Sequence, residues 1–286
     1  MQPIETCSLE TGVKNIHITV PASDLHIQKK LGISRETLII KMQETICYAV
    51  EKGCQVSVGA EDASRADLPF LIQLYQEAVR QGAHRVRYAD TVGCLDPFTA
   101  FNTIKAIKET VGVDIDFHGH NDLGMGTANA LAAYKAGAKF ISCSVNGLGE
   151  RAGNTPLEEI VSVIRYVEGC EDQMHMEKIM AVSEMVQKFS GRRIQDSKPI
   201  VGRGVFSHEA GIHVDGLLKD VLTYEEISPA QFGRERNIVL GKHSGKRGVL
   251  HAYEKKGIFI SDAEAVSILH QLRGETKESL VSKQVQ

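Results

Sequence analysis

Along the first 170 residues, apolar and polar positions follow one repeating pattern. A helical stretch ends at a glycine, a short β-rich run begins a few residues later, and the run stops at a polar cluster. This happens five times. The glycines are Gly12, Gly53, Gly82, Gly112 and Gly137, placed as left-handed caps at helix ends. Successive glycines lie 41, 29, 30 and 25 residues apart, the period of a β/α unit. The predicted strands are residues 15–20, 55–58, 85–89, 114–117 and 140–145, and their near-continuous apolar character suggests parallel strands covered on both faces. Residues 4–11 read as the last turns of a helix feeding the first strand.

After Asn154 the repeat stops. Residues 156–168 are expected to form a helix with Leu157, Ile160, Val161 and Ile164 on one face, and residues 176–189 another. A glycine-rich stretch, 199–216, carries His208, Glu209, His213 and Asp215. Tyr224 sits in a turn-rich segment, and a last helix is expected over 262–273. Two domains follow from this: five β/α units over residues 1–170, and a smaller, mostly helical subdomain over 171–286. The run Leu240-Gly-Lys-His-Ser-Gly-Lys-Arg247 is either a phosphate loop or a helix N-terminal turn. It lacks the strand and glycine spacing of the former.

The polar clusters all lie on the carboxyl side of their strands. They are Ser23-Asp24, Glu61-Asp62, Asp90-Thr91, His118 with His120-Asn121-Asp122, and residues 146–154. Both a (β/α) barrel and a doubly wound sheet load that edge with active-site groups. No Gly-x-Gly-x-x-Gly follows the first strand and no phosphate-loop motif occurs, which disfavours nucleotide-binding sheets. Five strands do not close an eight-stranded barrel. Either the sheet is open, or about three β/α units, roughly 75–100 residues, come from elsewhere. Among the clusters, His118-Gly-His120 carries the most specific chemistry. Alternation along a strand puts both imidazoles on one side, where they either cap the strand or offer two nitrogens to a divalent metal.

Composition narrows the setting. With 286 residues, 42% hydrophobic and 24% charged, the chain is long enough for a sizeable core. A net charge of -3 gives no electrostatic reason to expect nucleic acid or an anionic membrane as partner. No apolar run approaches the roughly 18 residues of a membrane span, and the amino terminus lacks signal-peptide regions, so a cytoplasmic location is expected. Cys7, Cys47, Cys54, Cys94, Cys143 and Cys170 form no Cys-x-x-Cys pair, so they read as reduced fillers rather than a disulfide or zinc framework.

Four motifs, in order, resemble one family: Ala89-Asp-Thr-Val-Gly93, His118-Gly-His120-Asn-Asp122, Asn146-Gly-Leu-Gly-Glu-Arg-Ala-Gly-Asn154 and His208-Glu-Ala-Gly-Ile-His213-Val-Asp-Gly216. The family is that of the Claisen-condensing, metal-dependent acyltransferases, which contains 2-isopropylmalate, citramalate and homocitrate synthases. The similarity runs from near the first residue to about residue 275. Within the family, residues 56–67 and 206–220 look most like homocitrate synthases of the nitrogen-fixation type.

The family's opening strand, with its Asp-x-x-Leu-Arg-Asp-Gly motif, has no counterpart in the sequence. The match begins just before the fourth barrel strand. The chain is therefore similar to the alpha subunit of split homocitrate synthases, whose omega chain carries the front of the barrel. The resemblance implies an incomplete (β/α)8 TIM barrel, strands 4 to 8, completed by an omega-type partner chain, in an oligomer.

It also implies condensation of acetyl-CoA with 2-oxoglutarate to give homocitrate and CoA, for nitrogenase cofactor synthesis. A divalent metal (Mg, Mn, Zn or Fe) would bind His118, His120 and Asn154, with an acidic ligand from the partner. Thr91 matches the residue holding the oxo acid's carboxylate. Glu61 and His213 match the proton-transfer pair, and Tyr224 a tyrosine assisting that histidine. Roles for His208, Glu150, Arg151 and His243 are not implied. In lysine-pathway homocitrate synthases an Arg and a Ser hold the distal carboxylate where this chain has Ser57 and Gly59, leaving Arg87 as a substitute. A related synthase, an acyl-CoA lyase or a non-catalytic assembly fragment are the competing readings.

Overall fold

The five repeats form a single parallel sheet. A computed structural model describes residues 12–169 and 174–282, with side chains up to residue 274. The expected helix over 4–11 and Cys7 and Cys170 lie outside the described residues. Strands β1 (Asn15–Pro21), β2 (Gln55–Glu61), β3 (Ala83–Asp90), β4 (Asp114–Gly119) and β5 (Phe140–Ser142) pair in that order, every pair parallel. Helices α1 (Arg35–Glu51), α2 (Leu68–Arg80), α3 (Pro97–Val111), α4 (Gly126–Lys135) and α5 (Leu157–Glu168) alternate with them. A strand order that follows the sequence is the winding of a barrel wall. A doubly wound sheet would reverse direction at a switch point.

Local chemistry sets the helix ends. Ser34, Asp67 and Asp96 accept hydrogen bonds from Thr37 N–H (3.2 Å), Phe70 N–H (3.2 Å) and Thr99 N–H (3.1 Å) respectively, satisfying donors the first turn leaves open. At the other end of α3, Gly112 takes φ 74, a left-handed conformation that glycine adopts without steric cost. Leu38, Met42, Ile46 and Ala49 recur at helical spacing on α1 and are buried.

The expectation of strands apolar on both faces is corrected. Val56, Val58, Ala60, Val86, Tyr88, Ile115 and Phe117 are buried in a core shared with the helices, and the Tyr88 and Phe117 rings stack 6.1 Å apart. The opposite face is polar. Register places His17 beside Ser57, Arg87 beside Asp116, and His118 beside Ser142. Arg87 Nε donates to Asp116 Oδ2 at 2.7 Å, Ser142 Oγ donates to the same carboxylate at 3.0 Å, and His17 Nδ1 lies 2.8 Å from Ser57 Oγ. Cross-strand pairing of opposite charges makes such a face tolerable.

The fifth strand is shorter than its apolar run suggested. Ser144 leaves the ladder to pair with Pro156, and a 3₁₀ turn, Val145–Gly147, follows.

The chain divides into two compact units, Met1–Glu171 and Asp172–Gln286. The second holds α6 (Ile179–Ser190), a two-residue parallel ladder of β6 (Ser207–His208) with β7 (Asn237–Ile238), and helices α7 (Gly211–Lys219), α8 (Lys246–Glu254) and α9 (Asp262–Ser282). The last helix runs past the expected stop at 273. Residues 241–245 lead into α8, with Gly241 N–H capped by Ser244 Oγ at 2.9 Å, so the glycine-rich run there is a helix N-terminal turn. No described helix is long and apolar enough to cross a membrane.

Candidate functional site

Backbone hydrogen bonds bind the carboxyl ends of β3 and β4 to the loop over residues 146–154. His120 N–H donates to Asp90 O (3.3 Å), Asn121 N–H to Gly153 O (2.9 Å) and Thr155 N–H to Gly119 O (3.0 Å), while His120 and Asn154 form an isolated antiparallel bridge. The two imidazoles meet edge to face with ring centroids 5.0 Å apart. Burial, with His120 and Arg87 adding to it, pushes the His118 pKa down to about 4. The ring is therefore neutral near pH 7, as a metal ligand must be.

Two buried atoms here have no hydrogen-bond partner: His120 Nδ1 and Asn154 Oδ1. Buried polar atoms are almost always satisfied, and an unpaired imidazole nitrogen beside an unpaired amide oxygen is the donor chemistry of a divalent cation site. Gly149 makes room for the amide, since a Cβ there would lie 2.7 Å from Asn154 Nδ2. His118, His120 and Asn154 thus fit a metal. Among the described residues, however, no three His, Cys, Asp or Glu side chains converge, so this donor set lacks an acidic member.

Thr91 is half-buried at the end of β3, where its Oγ1 accepts the Asp62 N–H at 2.8 Å. That bond occupies an acceptor site and leaves the hydroxyl proton to donate elsewhere. Fully buried Asp62 has its carboxylate gripped by Arg65 at 2.8 Å through two nitrogens and by the Ser23 hydroxyl. Buried Asp90 accepts from the backbone of Cys94 (3.1 Å) and Leu95 (3.2 Å). Both carboxylates are consumed in holding loops. Glu61, at the end of β2, is ion-paired with Lys30 at 2.7 Å and has His26 Nδ1 at 3.9 Å.

The second unit holds its own candidates. His213 lies exposed on α7 and its ring stacks on Tyr224, centroids 4.2 Å apart. Gly216 permits this contact, because a Cβ at that position would sit 2.5 Å from Tyr224 Cε2. The segment leading into α7 is anchored by a charged triad. Arg236 donates through Nε and Nη2 to both oxygens of buried Glu225, and His208 Nε2 lies 3.2 Å from Glu225 Oε1. The bond to Arg236 holds the Glu225 carboxyl below its ordinary range. Glu209 Oε1 accepts His243 N–H at 3.0 Å, and Gly211 N–H donates to His243 O at 3.0 Å. His208 and His243, whose parts the motifs left open, thereby fix, together with Glu209, the base of the helix bearing His213.

The structure brings His118, His120 and Asn154 together in the first unit and His213 with Tyr224 in the second. Sequence reasoning missed the anchoring carboxylates Asp62 and Asp90, although an aspartate at a strand end followed by a turn is a recognisable backbone-capping signal.

Comparison with known proteins gives this geometry a family. The HMGL-like profile matches residues 4–186 and the homocitrate synthase post-HMGL domain-like profile matches residues 200–279. A 2-isopropylmalate synthase of Caldanaerobacter subterraneus is 47% identical over 93% of this chain and 69% of its own length. Homocitrate synthase 1 of Nostoc is 39% identical over 97% of this chain and 74% of its own. A (R)-citramalate synthase of Methanocaldococcus jannaschii is 40% identical, with the chain spanning 54% of that protein's length. Among solved structures, an HMG-CoA lyase of Bacillus subtilis superposes with a TM-score of 0.61 at 18% identity, covering 68% of this chain and 69% of that one, which shows a shared TIM-barrel fold. The chain therefore belongs to the HMGL-like family, among the 2-isopropylmalate, citramalate and homocitrate synthases, with a homocitrate synthase-type domain following its barrel segment.

Proposed function

We propose that this chain is the larger part of an acyltransferase that condenses acetyl-CoA with a 2-oxo acid, and that the oxo acid is 2-oxoglutarate, giving homocitrate and CoA. The observation carrying the substrate choice is the polar sheet face beside the His118 pair. His17, Ser57, Arg87, Asp116 and Ser142 line it, and a charged or hydrated tail, which can hydrogen-bond to such a surface, suits it better than an isopropyl group, which cannot. The likeness of residues 56–67 and 206–220 to nitrogen-fixation homocitrate synthases supports the same choice. Arg87 does not serve as a free carboxylate clamp, because Asp116 already neutralises it at 2.7 Å. The 47% identical relative favours a second reading, in which 2-oxoisovalerate is condensed to 2-isopropylmalate.

In the reaction, a proton leaves the acetyl methyl, the methyl carbon bonds to the keto carbon, the keto oxygen gains a proton, and water then cleaves the thioester. A metal bound by His118, His120 and Asn154 would supply Lewis acidity toward the oxo acid. Thr91 donates its free hydroxyl proton to the oxo acid's carboxylate. His213, its ring backed by Tyr224, and Glu61 are the proton-transfer groups. Three further β/α units, supplied by an omega-type chain, complete the barrel around β1 and β5 and contribute the acidic metal ligand.

The test is mass-spectrometric product analysis with acetyl-CoA, Mn²⁺ and each of 2-oxoglutarate, pyruvate and 2-oxoisovalerate, using this chain with and without an omega-type chain. Homocitrate formed only by the mixture is the expected result. Isopropylmalate as main product would replace the substrate choice, and full activity of the chain alone would end the partner proposal.

A further inference from the structure

We propose that Arg151 is a positioning residue whose single guanidinium locks three strand-end loops together, so that the placement of Thr91, His120 and Asn154 depends on it. The inference deepens the reading above and rests on its assignment of His118, His120 and Asn154 to a divalent cation. Arg151 lies three residues before Asn154, in the loop over 146–154. Its Nε donates to Asp122 Oδ1 at 2.7 Å and its Nη2 to Asp122 Oδ2 at 2.9 Å, and the same Nη2 donates to the main-chain oxygen of Thr91 at 2.8 Å. One fork therefore reaches the loop after β3, the loop after β4 and its own loop.

The surroundings make this more than a surface ion pair. Arg151 holds a left-handed backbone, φ 54, which a residue with a side chain adopts only when its neighbours enforce it. Gly93 packs straight onto the bridge, since a Cβ there would lie 2.4 Å from Asp122 Oδ2 and 2.9 Å from Asp122 N. Displacing Asp122 thus displaces the turn that follows Thr91. The pair is partly exposed, with Arg151 at 43% and Asp122 at 23% side-chain exposure, so its contribution to overall stability is small. What it supplies is geometry. A planar, bidentate fork fixes direction as well as distance, which an ammonium does not.

The experiment combines Mn²⁺ titration with amide hydrogen exchange on the full chain as wild type, Arg151→Gln, Arg151→Lys, Asp122→Asn and the Arg151→Gln/Asp122→Asn double variant. Loss of a group that orients metal ligands costs about tenfold or more in affinity. Each single Gln or Asn variant is expected to lose that much, Arg151→Lys an intermediate amount, and the double variant no more than the worse single one. Exchange is expected to accelerate together in residues 91–93, 120–124 and 146–154. Wild-type Mn²⁺ affinity in Arg151→Gln, with faster exchange confined to 146–154, would overturn the proposal. If the wild-type chain takes up no Mn²⁺ even with an omega-type chain present to supply the acidic ligand, the metal assignment fails by itself. The exchange pattern then decides the tether: acceleration across all three segments supports it and acceleration in one overturns it.

Discussion

The two units present their candidate histidines by opposite means. His118 and His120 stand at the end of a strand inside a five-stranded sheet, over a core in which Tyr88, Phe117 and Ile115 are almost fully buried. His213 stands exposed on a nine-residue helix whose approach segment is held by charged contacts, Glu225 with Arg236 and His208, and Glu209 with His243. The first arrangement draws its precision from packing, which resists change of shape. The second draws it from hydrogen bonds to charged groups, which are directional but respond to pH and salt. The first arrangement suits ligation of a cation, and the second suits a group whose setting changes with its surroundings.

The sharpest way to break this contrast is to remove packing from the first unit. Phe117→Ala is expected to cost about 3–5 kcal/mol in the denaturant unfolding of the first unit, with hydrogen exchange in α8 and α9 unchanged. Equal loss of protection in both units would show that they do not unfold separately. Next in size, His120→Ala is expected to lower Mn²⁺ affinity by more than about 100-fold, beyond the range of a merely supporting group, with little change in the melting of the sheet. A change below tenfold would remove His120 from the ligand set.

In the second unit, Glu225→Ala leaves Arg236 half-buried without its counter-charge. The expected cost is about 2 kcal/mol, less than the 3–5 kcal/mol of a fully buried pair because Arg236 reaches solvent, read as lost exchange protection around α7. Gly216→Ala is expected to push the Tyr224 ring off His213 at about 1–3 kcal/mol and to lower kcat more than it raises KM. Wild-type kinetics would show that the stacking is incidental.

The smallest effect is that of pH. Glu225 has a folded pKa below its ordinary 4.5, chiefly because of Arg236, so the unfolded chain binds its proton first. The stability it contributes is fully present above about pH 4.5 and is lost as pH falls through the lower folded value. Acid is therefore expected to loosen α7 selectively, and Glu225→Gln to flatten that part of the profile.

Much of the first unit was legible because its signals are local. Gly53, Gly82, Gly112 and Gly137 announce left-handed helix ends, and all four have positive φ. The side-by-side placement of His118 and His120 followed from strand alternation. What was hidden depends on distant partners. Nothing near Arg151 in the sequence hints that its fork closes on Asp122 and Thr91, 29 and 60 residues away. Arg87 offers a substrate clamp on sequence alone, and only the sheet register shows that Asp116 across it is its ion-pair partner. The fifth strand is shorter than its apolar run because Ser144 is taken by a bridge to Pro156, a pairing no apolar run reveals. Irregular backbone carries the second unit's contacts, so there the sequence disclosed residues but not their geometry.

In this proposal the first unit's strand-end loops hold a divalent cation through both imidazoles. Pulsed electron paramagnetic resonance of Mn²⁺ bound to the chain, grown with ¹⁵N-histidine, tests it most directly. Two imidazole nitrogen couplings are expected, one lost in His118→Ala and the other in His120→Ala. Mn²⁺ that binds with no histidine coupling, or whose couplings survive both substitutions together, would contradict it.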